Sequence, residues 1–189
     1  GGGRVPVVAE VINMWLKPDL KASPAFRGIR VGIVLEYEGG EFRGGRGGGD
    51  VFDPKGEKIQ KFPGDSGTDH LDCFIRAMRS RNESELRSPI EKAFKSSSLA
   101  HMANISYRIG AQVPKDEFQS SVAKMGDAAA DVAERQGKQL ADWNIDLDKE
   151  RWTVGPRLDF DPKKERFKGD AAKANEYLSR DYRKPFVVT

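Results

Sequence analysis

The first third of the chain carries apolar runs that predict β-strands. Val5–Leu16 and Gly28–Glu38 are rich in β-branched and aromatic residues, which favour extended backbone. The segment between them holds two prolines, as a loop often does. We therefore expect these two runs to pair. Further short strands are predicted at Val51–Asp53, Glu57–Phe62 and Trp152–Phe160.

The spacing of apolar residues then changes to a helical period. Leu71, Phe74, Ile75 and Met78 recur at the i, i+3, i+4, i+7 positions of one helix face. This spacing predicts a helix over Asp69–Arg81, with the four side chains directed into a core.

A second helix is predicted over Ser88–Gly110. Ser88 and Glu91 form a capping-box pattern at its start, and Gly110 ends it. Its inward stripe is small and polar in the middle, which predicts close approach by another helix or by backbone. That stripe includes Ile90, Phe94, Ser97, His101 and Ile105.

A third helix is predicted over Asp127–Trp143, where i, i+4 ion pairs would join Asp131 to Arg135 and Glu134 to Lys138. Pro114–Met125 also has a helical pattern, and Gly126 separates it from the third helix. A final helix is predicted from Asp170 to Leu178.

The order of these elements predicts an α+β fold, with helices packed on one face of a mainly antiparallel open sheet. The length of 189 residues suits a single domain, 1–189. The chain begins with Gly1 rather than methionine, so we expect it to be a piece of a longer protein.

Composition narrows the classes of function. The 32 basic and 29 acidic residues leave a net charge of +3, too small a surplus for a nucleic-acid-binding field. Cys73 is the single cysteine, which excludes an internal disulfide and a cysteine-based zinc cluster. No apolar run approaches the roughly 20 residues that span a bilayer. We expect no membrane partner, no nucleic-acid partner and a cytoplasmic location, unless an export signal lies upstream.

Five segments in a fixed order carry a resemblance to a known family. They read EGGEFRGGRGGG, FDPKGEKIQKFPGD, HLDCFIRAMRSR, SSSLAHMANISYRIG and DFDPKKERF followed by GDAAKANEYL. From about Gly28 onward the chain resembles the bacterial-type carboxy-terminal domain of Gfo/Idh/MocA oxidoreductases. The resemblance implies a full-length enzyme that binds NAD(P) on an amino-terminal Rossmann domain and acts on sugar- or polyol-like substrates.

The motifs that carry this family's chemistry are missing from the chain. The glycines of Gly44–Gly49 precede a strand-like stretch rather than a helix, so they do not form a dinucleotide fingerprint and are interpreted as a connection between strands. Lys17 follows leucine rather than the glutamate of the family's lysine motif, and neither His70 nor His101 has an aspartate four residues earlier. We therefore expect no catalytic residue and no cofactor bound by this chain alone.

The resemblance implies that this chain contributes substrate binding and association. It also implies two partners, namely the missing Rossmann domain and a second copy of the chain in a homo-oligomer formed through the sheet face. Candidate substrate or interface residues are Arg43 and Arg46 beside the glycines, and Asp69 and His70 at a helix start.

Two other functions remain open from the sequence. The chain would also fit a stand-alone module that dimerises or binds a ligand without chemistry. A single RGGRGGG stretch at a net charge of +3 gives weaker support for an arginine–glycine nucleic-acid binder.

Overall fold

The computed structural model describes residues 6–186. Their contacts divide these residues into two compact units, one of residues 11–92 and one of residues 6–10 with 93–186. The assignment of a single domain to 1–189 stays a prediction. Within residues 6–186, no helix combines the length and apolar character needed to cross a bilayer.

The 11–92 unit is built on a four-stranded antiparallel sheet whose strands follow one another in sequence order. The strands are β1 (Ile33–Tyr37), β2 (Gly40–Gly45), β3 (Gly48–Phe52) and β4 (Lys58–Pro63). Together with the helices of the chain, this sheet confirms the predicted α+β class with an open antiparallel sheet.

Glycines bring β2 and β3 close together. Gly44 lies opposite Gly49, and the Phe42 ring covers both, so that a Cβ added to Gly49 would lie 2.3 Å from that ring. Only Arg46 and Gly47 separate the two strands. The interpretation of Gly44–Gly49 as a connection between strands is correct only for Arg46 and Gly47, because the other four glycines belong to β2 and β3.

The register of the sheet gives it one apolar face. Leu35 pairs with Phe42, Phe42 with Val51, and Gly49 with Phe62. Paired residues share a face and successive residues alternate, so the apolar side chains fall on one side. They are Ile33, Leu35, Tyr37, Phe42, Val51 and Phe62.

The opposite face of the sheet is charged. Val34 pairs with Arg43, Arg43 with Asp50, and Asp50 with Lys61. Lys58 lies 2.6 Å from Asp50 and forms an ion pair with it. Apolar and charged residues therefore alternate along the strands, which gives the sheet one apolar face and one charged face.

The strand predicted at Val5–Leu16 is wrong for residues 6–16, and Val5 lies outside the described residues. The Gly28–Glu38 run does contain β1, but its partner is β2, the next segment along the chain. A hairpin needs only a short loop, so β1 pairs with β2, and the outer edge of β1 forms no ladder with residues 6–16.

The predicted helix at Asp69–Arg81 is confirmed as α1 (His70–Ser80). The side that it buries was predicted wrongly, because Cys73 and Ala77 are buried whereas Leu71, Phe74 and Met78 are exposed. The reason is a chain reversal after α1, through a 3₁₀ helix at Glu83–Glu85. The Cys73 thiol donates to the carbonyl of Glu85 at 3.2 Å, which fixes that side inward.

The second unit is mainly helical, and the helices predicted over 88–110, 114–125 and 127–143 are confirmed. The predicted strand at Trp152–Phe160 is split in two, and the final helix is a 3₁₀ helix. The elements are α2 (Ile90–Arg108), β5 (Ala111–Val113), α3 (Lys115–Ala123), α4 (Asp127–Asp142), β6 (Trp152–Val154), β7 (Phe160–Asp161), β8 (Arg166–Phe167) and the 3₁₀ helix Gly169–Tyr177. β5 pairs with β6, and β7 pairs with β8.

The core of this unit joins α2 to the carboxy-terminal segments. Ile105, Phe167, Ala171 and Ala174 are buried together, and part-buried apolar residues pack around them. The Asn175 amide exchanges two hydrogen bonds with the Phe167 backbone, at 2.9 and 3.0 Å, and so ties β8 to the 3₁₀ helix.

The predicted inward stripe of α2 is only partly correct. Ile105 is buried, but Ile90, Phe94 and His101 are exposed, so His101 is not a core histidine. The close approach predicted for the middle of the stripe is wrong, because Ser97 and His101 are exposed. Backbone approaches α2 at Ser106 instead, whose hydroxyl donates to the Pro156 carbonyl at 3.1 Å.

Both predicted ion pairs of α4 are confirmed. Arg135 lies 2.9 Å from Asp131, and Lys138 lies 2.5 Å from Glu134.

Candidate functional site

Three of the four candidate residues meet at the loop between β4 and α1. Its centre is a tight turn from Asp65 to Thr68, closed by a 3.0 Å hydrogen bond between the Thr68 amide and the Asp65 carbonyl. Ser66 and Gly67 both have left-handed backbone, with φ of 55° and 81°. The Gly67 amide donates to the Asp65 carboxylate at 2.8 Å, which stabilises this conformation.

Arg46 and His70 reach this loop from two directions. Arg46 lies in the β2–β3 turn, and its Nε donates to the Ser66 carbonyl. His70 is the first residue of α1, and its amide donates to the Gly67 carbonyl at 3.2 Å. The hairpin tip and the helix start are therefore bound to two adjacent carbonyls, those of Ser66 and Gly67.

Asp69 sits between two arginines. Arg76 binds both of its carboxylate oxygens, at 3.1 and 3.2 Å, and Arg87 lies 2.8 Å from one of them. Arg87 also reaches Asp65 at 2.6 Å. One guanidinium therefore joins two carboxylates of the loop.

These contacts stabilise the ionised carboxylates. The pKa of Asp65 is lowered by the Gly67 amide and then by Arg87. The pKa of Asp69 is lowered mainly by its hydrogen bonds with Arg76. Both groups therefore stay charged to a lower pH than an isolated aspartate.

Arg43 lies elsewhere, on the charged face of the sheet. Its Nε donates to Glu41 at 2.7 Å, and its guanidinium lies over the Phe52 ring. Burial opposes the charge on Glu41, but hydrogen bonds from Arg43 and Arg27 outweigh it and hold the pKa of Glu41 below its ordinary value. Arg43 thus belongs to a structural network and not to the loop.

Sequence reasoning did not single out Asp65, Arg76 or Arg87 as site residues. The Asp-Ser-Gly run at 65–67 is a readable turn signal, since aspartate and glycine favour such turns. Nothing in the local pattern marks Arg87, because it lies 22 residues from Asp65.

The loop has limited chemistry of its own. The carboxylates and guanidinium groups of Asp65, Asp69, Arg76 and Arg87 neutralise one another at the start of α1. The His70 side chain is exposed and has no hydrogen-bond partner within residues 6–186, so it is the group of this loop that is open to a ligand.

A shallow concavity lies near the end of the described chain. It is lined by Arg180, Asp181, Tyr182, Arg183 and Phe186. Arg180 lies over the Tyr182 ring and Arg183 over the Phe186 ring, so both guanidinium groups already contact rings of the same seven-residue stretch.

No cluster of three or more histidine, cysteine, aspartate or glutamate residues in the described part of the chain could hold a metal ion. Comparisons with protein-family models, with curated proteins and with solved structures give no match. The family resemblance therefore rests on the residues of this chain alone.

Proposed function

We propose that this chain is the substrate-binding and association domain of a Gfo/Idh/MocA-like oxidoreductase that acts on sugar- or polyol-like substrates. On this proposal the NAD(P)-binding Rossmann domain is supplied by sequence outside the chain, so the chain alone is catalytically incomplete. Two features support it. The five family-like segments occur in order, and the fold is α+β with an open antiparallel sheet.

The observation that carries the proposal is the exposed apolar face of the sheet. Ile33, Leu35 and Tyr37 are 51%, 48% and 49% exposed, and Phe62 on β4 is 47% exposed. Contiguous exposed apolar surface of this kind marks protein–protein contact. A second copy presents the same face, so two apolar sheets can cover one another.

The loop at 65–70 supplies the substrate side of the proposal. His70 offers an exposed imidazole, which is a suitable partner for a hydroxyl group, whereas both carboxylate oxygens of Asp69 are already bound by Arg76. Arg46 and Arg87 contact the turn of this loop and favour the conformation that presents His70.

Light scattering of the purified chain tests the association. We expect a dimer for the unmodified chain and a monomer for Leu35→Glu, which places a charge on the apolar face. Val34→Glu is the matched control, because the neighbouring side chain lies on the charged face opposite Arg43. A monomeric unmodified chain, or a Leu35→Glu variant that still dimerises, would contradict the proposal.

Titration with NADH, followed by its fluorescence, tests the missing cofactor domain. We expect no saturable binding to the chain alone. Saturable binding would overturn the proposal that the nucleotide is held by a separate domain.

A further inference from the structure

We propose that α1 is a lid that closes over the apolar face of its own sheet, and that closure competes with a second copy of the chain for that face. The competition rests on the proposed self-association, whereas the lid itself does not.

The first observation is that two apolar surfaces are exposed within one compact unit. On α1, Leu71, Phe74 and Met78 are 64%, 55% and 50% exposed. The sheet and α1 both belong to residues 11–92. Burying apolar surface is favourable in proportion to its area, so bringing these two surfaces together would be driven by the hydrophobic effect.

The connection between the two elements permits this closure. β4 ends at Pro63 and α1 begins at His70, so residues 64–69 join them. Connections between a strand and a following helix are commonly about two to six residues long, and the helix usually packs on a face of the sheet that it has just left. Because Arg43, Asp50 and Lys61 line the opposite face, only the apolar face suits the stripe of α1.

Closure does not require the existing packing of α1 to break. Cys73 and Ala77 are held against the segment that follows the helix, through the hydrogen bond of Cys73 to Glu85. At about 100° per residue, Phe74 and Met78 point to a different side from Cys73 and Ala77. The helix can therefore move together with its following segment as one body.

The contacts that hold α1 in its present position are mostly exposed. Arg87 binds Asp65 at 2.6 Å with a side chain that is largely in solvent, and Arg46 holds the loop through one carbonyl. Exposed ion pairs of this type contribute little to stability. They guide the position of α1 without locking it.

Disulfide trapping tests the lid. In a Cys73→Ser background, Leu35→Cys is combined with Phe74→Cys, and the matched control combines Val34→Cys with Phe74→Cys. Under mild oxidation at low protein concentration, we expect at least a tenfold larger intramolecular disulfide yield, read by mass spectrometry, for the first pair. Equal yields, or no disulfide in either pair, would overturn the lid.

A second measurement does not require a disulfide to form. The alkylation rate of a lone Leu35→Cys thiol, in the Cys73→Ser background, is compared with and without Phe74→Glu. We expect Phe74→Glu to raise the rate several-fold, because a charged stripe cannot close on an apolar face. An unchanged rate would count against the lid.

The trapped form separates this inference from the proposed function. We expect the disulfide-closed chain to be monomeric and the reduced chain to dimerise. A closed chain that still dimerises would overturn the competition and the sheet-face association but not the lid. Failure to trap would overturn the lid alone.

Discussion

The guanidinium of Arg43 lies 4.2 Å from the centroid of the Phe52 ring. Arg43 is on β2 and Phe52 on β3, so this contact joins two strands on the charged face. The same guanidinium is hydrogen-bonded to Glu41, which helps to hold it over the ring. The ring thus packs against the ion pair of Arg43 and Glu41.

We expect Phe52→Leu to lower the free energy of unfolding by about 1 kcal/mol, because a part-buried cation–π contact is lost while an apolar side chain is kept. Urea unfolding measures the change. Phe186→Leu is the control, since its ring faces Arg183 at 5.3 Å in an exposed position and its loss should change little. Equal effects of the two substitutions would contradict the role given to Phe52.

Gly137→Ala should stabilise the protein by about 1 kcal/mol, because alanine is the better helix former. Gly137 lies within α4, and an added Cβ would meet only Leu147 at 3.8 Å, an ordinary contact. Thermal unfolding measures the shift. A lower midpoint would mean that α4 is packed more tightly there than the structure shows.

Gly49→Ala should have the opposite effect. Its Cβ would lie 2.3 Å from the Phe42 ring and 2.6 Å from the Arg43 carbonyl, and the backbone contact cannot relax by a side-chain rotation. Overpacking of this kind costs about 1–3 kcal/mol. Urea unfolding checks it, and a stability equal to that of the unmodified chain would show that β2 and β3 are not this close.

Arg87→Gln should reduce the loss of stability at acidic pH. Asp65 and Asp69 have lower pKa values in the folded chain than the ordinary value of about 3.9, so they favour folding above that pH. This contribution is lost as the pH falls through the folded pKa values. Without Arg87, the folded pKa of each group lies closer to its ordinary value and the contribution is smaller.

Urea midpoints between pH 3 and pH 7 measure this difference. Part of the pH dependence should remain, because Lys149 lowers the pKa of Asp146 and the Lys164 amide lowers that of Asp161. Lys138→Gln is the control, since its partner Glu134 is a solvated helix residue. Identical pH profiles for Arg87→Gln and the unmodified chain would show that the loop carboxylates do not depend on Arg87.

Local patterns predicted the helices well, because helical spacing and i, i+4 charge pairs depend on neighbours within one turn. The buried side of α1 was not predictable in this way. Leu71, Phe74 and Met78 are the more apolar set, yet Cys73 and Ala77 are buried because the chain reverses after the helix. The prediction of a strand over residues 6–16 was wrong for a related reason, because strand propensity does not show which strand a segment would pair with.

The candidate site was predictable as separate pieces. Arg46, Asp69 and His70 each drew attention by residue type and position. Their meeting at one loop depends on the contact of Arg46 with Ser66, which lies 20 residues away along the chain. The role of Arg87 depends likewise on a distant partner, so no local pattern reveals it.

The two-faced sheet makes the chain sensitive to length changes in β2 and β3. Side chains alternate between the faces, so inserting or deleting one residue at 48–50, within β3, would exchange the faces of Asp50 and Val51. A charge would then lie among apolar side chains, and an apolar residue would lie among ions. Point substitutions within β3 should therefore disturb the sheet less than insertions or deletions do. The turn at Glu38 and Gly39 lies between strands, so it can change length without inverting either face.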